Sequence, residues 1–281
     1  MKKNKKRNFI VLGIVIVLVA CITIMLFQVK GEKKEVVETD QNSYRYIKVD
    51  GKDYRYRTNL KTILFLGIDT TDETKNQGQS DAIDLAIFDR DQQKIKIISL
   101  SRDTMCKIRL FDSEGNDLGW DKQHLGLAYS YGKNRKHGGI LAKDAVSKLL
   151  SDVPLVNYTA FDLNSLQELQ DIIGDMPMVL DDDYIDINPL WKKGKKIVIN
   201  RDNVEEFVRS RNTSKDYSNK TRMQRQKLYI QTYINQLKTQ LTNDYSTTLQ
   251  KMYNFYSKLT TNITLKEIDS YAEMILNYSI D

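Results

Sequence analysis

The sequence is short of several things that would point to common chemistries. It has two cysteines in 281 residues, Cys21 and Cys106, so no disulfide framework can be built, and a folded domain outside the cell would have to rely on its core. Cys21 falls in an uncharged stretch. Cys106 follows an apolar-rich segment with no evident partner and is expected to be a small buried hydrophobe, not a nucleophile. Three prolines exclude a long proline-rich linker, and there is no internal repeat or low-complexity tract. The two histidines, His124 and His137, have no His/Cys spacing suited to zinc and fall in a loop–helix region, where they are read as non-catalytic. There is neither a G-x-G-x-x-G nor a Walker loop, so the usual phosphate cradles are missing.

A general basic character is also missing once the charge is dissected. The net charge is +6, but Lys2, Lys3, Lys5, Lys6 and Arg7 supply +5 of it, leaving about +1 for everything after them. A nucleic-acid-binding domain should be basic as a unit, so that class is excluded.

What is present begins with "FIVLGIVIVLVACITIMLF" at 9–27, which is 19 uncharged residues, enough to span a bilayer as a helix. The cations before it put residues 1–8 in the cytoplasm and the rest outside, as a single-pass cell-membrane protein with an extracytoplasmic domain. A cleaved signal peptide is one rival reading, opposed by the length of the run and the lack of an A-x-A site. Lipoprotein processing at "LVAC" (18–21) is the other, opposed by the apolar residues Ile22 to Phe27 that follow Cys21.

Residues 28–58 read as a polar stalk ending in a hairpin, "YIKVDGKDYRYR", with Asp50-Gly51 as its turn. The folded domain is expected over 59–241. "TILFLGID" is a continuous apolar run, as in a strand buried on both faces, and "AIDLAIFD" (82–89) and "KIKIISLS" (94–101) form a hairpin through "RDQQ". Helical spacing marks 138–152, a strand "VNYTAFD" follows, and "LNSLQELQDIIG" is a helix closed by Gly174. "MPMVLDD" and "KKIVIN" are strand-like, and a long helix is expected from Thr221 to Leu241. Alternating strands and helices predict an α/β domain with a central mixed sheet flanked by helices. Residues 242–281 read as a C-terminal helical segment, with Thr264 and Glu267 as a capping box.

One stretch, "VRSRNTSKDYSNKTRMQRQ" (208–226), gathers four arginines. Arg222, Arg225 and Gln226 share a helix face that Tyr229 and Tyr233 extend, beside a separate stripe of Ile230, Ile234, Leu237 and Leu241. Arg209 and Arg211 can share a target only if the preceding helix stops near Arg209. Guanidinium forks suit phosphate, although ordinary surface charge is the plainer alternative. Asp69 ends the first buried strand, Asp81 precedes the second, and Arg102 in "SRD" ends another; strand ends are where ligands gather in such sheets. Two carboxylates and a phosphate make a hard oxygen site suited to Mg²⁺.

In their order and spacing, "ILFLGID", "QSDAIDLAIF", "KIISLSRDTM", "LGLAYSYG", "YTAFDLNSLQELQDIIG", "FVRSR" and "RMQRQ", after an N-terminal apolar run, resemble the LytR–CpsA–Psr family of bacterial cell-wall glycopolymer ligases over roughly residues 60–240. The resemblance implies a membrane-anchored phosphotransferase. It would hold a polyprenyl-pyrophosphate-linked glycopolymer, with its tail in an apolar channel and its pyrophosphate on arginines, and pass the glycopolymer phosphate (teichoic acid or capsule) to a peptidoglycan hydroxyl. A side pyrophosphatase activity is a further implication.

Carried over residue by residue, Asp69 and Asp81 match the acids holding Mg²⁺ (or Mn²⁺). Arg102, Arg209, Arg211, Arg222 and Gln226 match the pyrophosphate grip, with Arg225 adjacent. Asp81 or Asp69 would also take the acceptor's proton. The pattern is broken by Gln79 where the family has Arg, by Ser101 for the usual Pro, and by "GDMPM" for a Gly-Gly-Val run. A non-enzymatic lipid-pyrophosphate binding or scaffold protein of the same fold is the alternative. A role in transcription is opposed by the outward topology.

Overall fold

The computed structural model describes residues 46–70, 78–162, 165–212 and 219–281. The expected cytoplasmic tail at 1–8, the apolar run at 9–27 and most of the expected stalk therefore lie outside the described residues, as do residues 213–218. Among the described residues no helix is long and apolar enough to cross a membrane. The chain divides into two units, Met1–Arg55 and Tyr56–Asp281. The first ends in the expected hairpin, β1 (Tyr46–Val49) paired with β2 (Lys52–Arg55). Its turn residues Asp50 and Gly51 have φ of 49° and 77°, the paired left-handed geometry that Asp-Gly supplies at low cost.

The second unit is built on a six-stranded mixed sheet in the order β11 (Thr260–Thr261), β8 (Asn157–Asp162), β3 (Leu60–Ile68), β4 (Ser80–Asp89), β5 (Lys94–Ser99), β12 (Ser279–Ile280). Strands β3, β4 and β5 form an antiparallel meander; β8 runs parallel to β3. Successive side chains point to opposite faces. On one face, Leu64, Leu66, Ile83, Leu85 and Ala160 pack on helix α1 (Arg135–Leu149), a 3₁₀ turn at Leu125–Tyr131, and β6 (Met105–Phe111). Each buried Leu or Ile there contributes about 1.5–3 kcal/mol.

The other face lies under helices α4 (Lys220–Asn243), α5 (Tyr245–Tyr256) and α6 (Leu265–Asn277). The remaining core gathers α2 (Leu166–Ile173) and α3 (Val204–Arg209) with a small antiparallel ribbon of β9 (Met176–Val179) and β10 (Lys196–Ile199). Gly174 closes α2 with φ of 70°, as its sequence position predicts.

Three features differ from the sequence reading. Cys106 follows β5 and is buried as expected, but it lies within a further strand that the sequence did not suggest, β6, opposite Gln123 of β7 (Asp117–His124). The ribbon escaped notice because β7 is polar along most of its length. Residues 242–281 are not an appended segment. Their two-residue strands β11 (Thr260–Thr261) and β12 (Ser279–Ile280) form both edges of the sheet, antiparallel to β8 and parallel to β5. Strands that short carry no readable alternation. The capping box of Thr264 and Glu267 forms as expected. Finally, the arginine face of α4 is its buried face: Arg222, Arg225, Tyr229, Tyr233, Leu237 and Leu241 all point inward, while Ile230 and Ile234 are only half-buried.

Candidate active site

Asp81 reaches its position through a bulge. Gly67 pairs with Ala82 and Ile68 with Ser80, so Asp81 is the extra residue of β4. A bulge re-aims one side chain without disturbing the strand beyond it. Asp69 follows β3 directly, its N–H donating to the Gln79 carbonyl at 2.9 Å. Arg102 lies just beyond β5, held by Gly126 N–H donating to its carbonyl at 2.9 Å. A Cβ on Gly126 would sit 3.0 Å from both Arg102 Cβ and the Ser80 carbonyl, so the 3₁₀ turn needs glycine to come this close.

These elements bring four of the predicted arginines around the two acids. Arg102 is ion-paired with Asp81, and Arg222 Nη1 lies 3.4 Å from the other Asp81 oxygen. Arg209, the last residue of α3, bridges Asp69 at 3.4 Å and Glu205 one turn earlier. Arg211 is exposed and lines the same polar cavity of about 630 Å³.

Arg222 is under electrostatic stress. Burial holds its pKa below the usual guanidinium value, Asp81 opposes this, and the Arg102 and Arg211 cations reinforce it. Its Nε is buried without a partner among the described residues. The first turn of α4 has Arg222 and no acid, the reverse of what a helix N-terminus favours. A bound anion relieves all three costs.

Arg225 and Gln226 do something else. Arg225 is fully buried, donates from Nε to the Phe207 carbonyl at 2.8 Å and from Nη2 to the Ser210 carbonyl, and stacks over Tyr184. Gln226 donates to the Val208 carbonyl at 3.0 Å. They satisfy the open carbonyls at the end of α3 and so hold Arg209 in place. The expected phosphate contact of Arg225 is not what the structure shows: its guanidinium donates to these two backbone carbonyls and does not line the polar cavity. Gln226 also lines the channel described next.

The sequence reading missed Asp202, Glu205 and Glu206 at the cavity rim. Glu205 and Glu206 occupy the first turn of α3, where acids are ordinary, and the i, i+4 spacing of Glu205 and Arg209 was the only available signal.

The polar cavity opens onto an apolar channel of about 300 Å³ between the sheet and helices α2, α4, α5 and α6. Ile63, Phe65, Ala86 and Ile97 form part of its floor, and Ile230 and Leu237 part of its roof. Asp81, Arg209 and Arg222 line both spaces.

A family model described as the LytR_cpsA_psr family matches residues 22–280. The chain belongs to that family. An Enterococcus faecalis member named polyisoprenyl-teichoic acid–peptidoglycan teichoic acid transferase TagU is 30% identical over 179 residues, 62% of this chain and 53% of its own length. The chain thus spans about half the length of that relative. Among solved structures, B. subtilis TagV shares the fold at 18% identity and a TM-score of 0.62, covering 80% of this chain and 84% of TagV. A structure titled TagT bound to LI-WTA is 22% identical with a TM-score of 0.58, covering 79% of this chain and 77% of TagT. The LytR_cpsA_psr fold accounts for the mixed sheet with helices on both faces.

Proposed function

We propose that the protein is a membrane-anchored phosphotransferase that moves a glycopolymer phosphate from a polyprenyl-pyrophosphate carrier to a peptidoglycan hydroxyl. The observation that carries this is the continuity of a charged mouth with an apolar channel through Asp81, Arg209 and Arg222. An amphiphile with a pyrophosphate head and a hydrocarbon tail matches both halves. The name borne by the Enterococcus faecalis relative supports teichoic acid as the transferred polymer.

The residues divide the work by chemistry. Arg102, Arg209, Arg211 and Arg222 neutralise and orient the pyrophosphate, which is most of what phosphoryl transfer requires of a protein. The acceptor hydroxyl attacks the sugar-side phosphorus, a new P–O bond forms, the anhydride bond breaks, and polyprenyl phosphate leaves. Asp81 or Asp69 takes the hydroxyl proton. The donor set fits Mg²⁺ or Mn²⁺: Asp69 and Asp81 offer carboxylate oxygens and the phosphates would complete the shell. Such an ion, if bound, would supply charge neutralisation to the pyrophosphate. The mixed charge of the mouth, with five carboxylates and four guanidiniums, suits a cation–pyrophosphate pair better than a bare anion.

The uncharged run at 9–27 behind five cations supports an anchor in the cell membrane with the catalytic unit outside. The test is transfer of labelled lipid-linked glycopolymer to peptidoglycan oligomers by the purified full-length protein. Covalent labelling of the oligomers supports the reading. Lipid binding without transfer leaves the binding or scaffold role, which Gln79 in place of the expected Arg favours.

A further inference from the structure

Asp84 has no role in the chemistry above, yet it is a carboxylate set in the wall of the apolar channel. It is 7% exposed. Its one hydrogen bond among the described residues comes from Ser99 Oγ to Oδ1 at 2.6 Å, so Oδ2 is left for the channel. The strand register extends the feature. Ser99 pairs with Asp84, Asp84 with Phe65, and Phe65 with Thr159, which puts all four side chains in one row on the same face of the sheet, and Asp84, Phe65 and Thr159 line the channel. Thr159 Oγ1 is also buried and lacks a partner among the described residues. A polar row with two incomplete hydrogen-bonding groups therefore crosses a surface otherwise made of Ile, Phe and Ala.

The ionisable groups lining the same channel are Asp81 on β4, Arg209 on α3, Arg222, Tyr229 and Tyr233 on α4, Tyr256 on α5 and Tyr271 on α6. β3, β5, β8 and α2 contribute none. No cation among these holds Asp84 ionised: burial pushes its pKa up to about 6, with only the Ser99 hydrogen bond pulling the other way.

We propose that a lipid tail enters the channel only with Asp84 in its neutral acid form, so that tail binding to the ionised form takes up one proton from solvent. A hydrocarbon tail laid over the row removes the remaining water from Asp84, and an unpaired carboxylate cannot pay that desolvation. The proposal rests on the channel being the tail site, and it makes Asp84 a determinant of when that site accepts lipid.

The experiment is calorimetric binding of farnesyl pyrophosphate to the full-length protein and to Asp84→Asn, at about pH 5 and about pH 8, with inorganic pyrophosphate as a head-group control. The control absorbs the phosphate's own titration. Wild-type affinity for the farnesyl ligand is expected to fall about 10–100-fold more than that of Asp84→Asn across this range, with no difference for inorganic pyrophosphate. Asp84→Met, with no titratable group, should behave like Asp84→Asn and guards against a folding defect in one variant. Identical pH profiles for wild type and both variants overturn the proposal while leaving the tail site intact. Absence of farnesyl binding to every protein at both pH values, with inorganic pyrophosphate still bound, overturns the tail-site reading and this inference with it.

Discussion

Arg222 Nη1 lies 3.4 Å from Asp81 Oδ2 across 141 residues of sequence, and both residues line the charged mouth and the apolar channel alike. Their contact joins the first turn of the long helix to the bulge of the central strand. The same carboxylate is shared with Arg102, so one acid serves two guanidiniums and neither is fully neutralised.

Arg222→Ala should therefore weaken inorganic pyrophosphate binding by about 10–100-fold, the worth of a charge-assisted hydrogen bond at a buried site. Arg222→Lys should recover little, because a point charge does not reproduce the fork. Calorimetry at fixed ionic strength measures both, and an unchanged affinity in Arg222→Ala would remove this residue from the site.

Asp81→Ala and Arg102→Ala should each abolish transfer of labelled glycopolymer. For Asp81 the loss of a general base alone predicts a drop of about 10²–10⁴-fold. The transfer assay on peptidoglycan oligomers reads this directly, and full activity in both variants contradicts the assigned centre.

Arg225→Met should act on stability instead. It strips donors from the Phe207 and Ser210 carbonyls inside the protein and should cost about 2–3 kcal/mol. Thermal denaturation tests this; a variant with wild-type stability and lost pyrophosphate binding would return Arg225 to the ligand set.

Asp84→Asn should raise stability at about pH 8 and leave it nearly unchanged at about pH 4. The folded pKa of Asp84 is raised to about 6, so its favourable contribution is complete below the unfolded carboxylate value and is lost as pH rises through 6. The rise spans about two pKa units, so the gain in the variant should be up to about 3 kcal/mol. Denaturant melts at the two pH values measure the difference, and an equal effect at both would show that folding does not raise the pKa of Asp84.

Gly126→Ala should cut turnover about tenfold, since an added methyl 3.0 Å from Arg102 Cβ forces that arginine to move, and a small misplacement near the chemistry costs at least this much. An intact melting temperature with reduced turnover is the expected pair of results; unchanged turnover would show that Arg102 tolerates the shift.

Much of the frame was legible before any coordinates. Three apolar strands in a row, a helix ended by Gly174 and a capping box at Thr264 follow from local patterns, because period, turn chemistry and caps act over a few residues. The order of short motifs pointed to the family, and with it to Asp69, Asp81 and Arg102. The two edge strands and the β6–β7 ribbon were not legible, since two-residue strands and a polar strand owe their existence to pairing partners far away in sequence.

The amino-acid sequence by itself determined the residue types at the centre: arginines and carboxylates suited to a pyrophosphate, and a long helix to hold some of them. Only the tertiary structure decided which of these face the mouth. Arg222 and Arg225 are neighbours on one helix face, yet one meets Asp81 and the other meets the carbonyls ending α3. The physical reason is that a buried guanidinium is committed to whatever acceptors the fold brings within reach, and those acceptors come from strands and helices that no local pattern links to it.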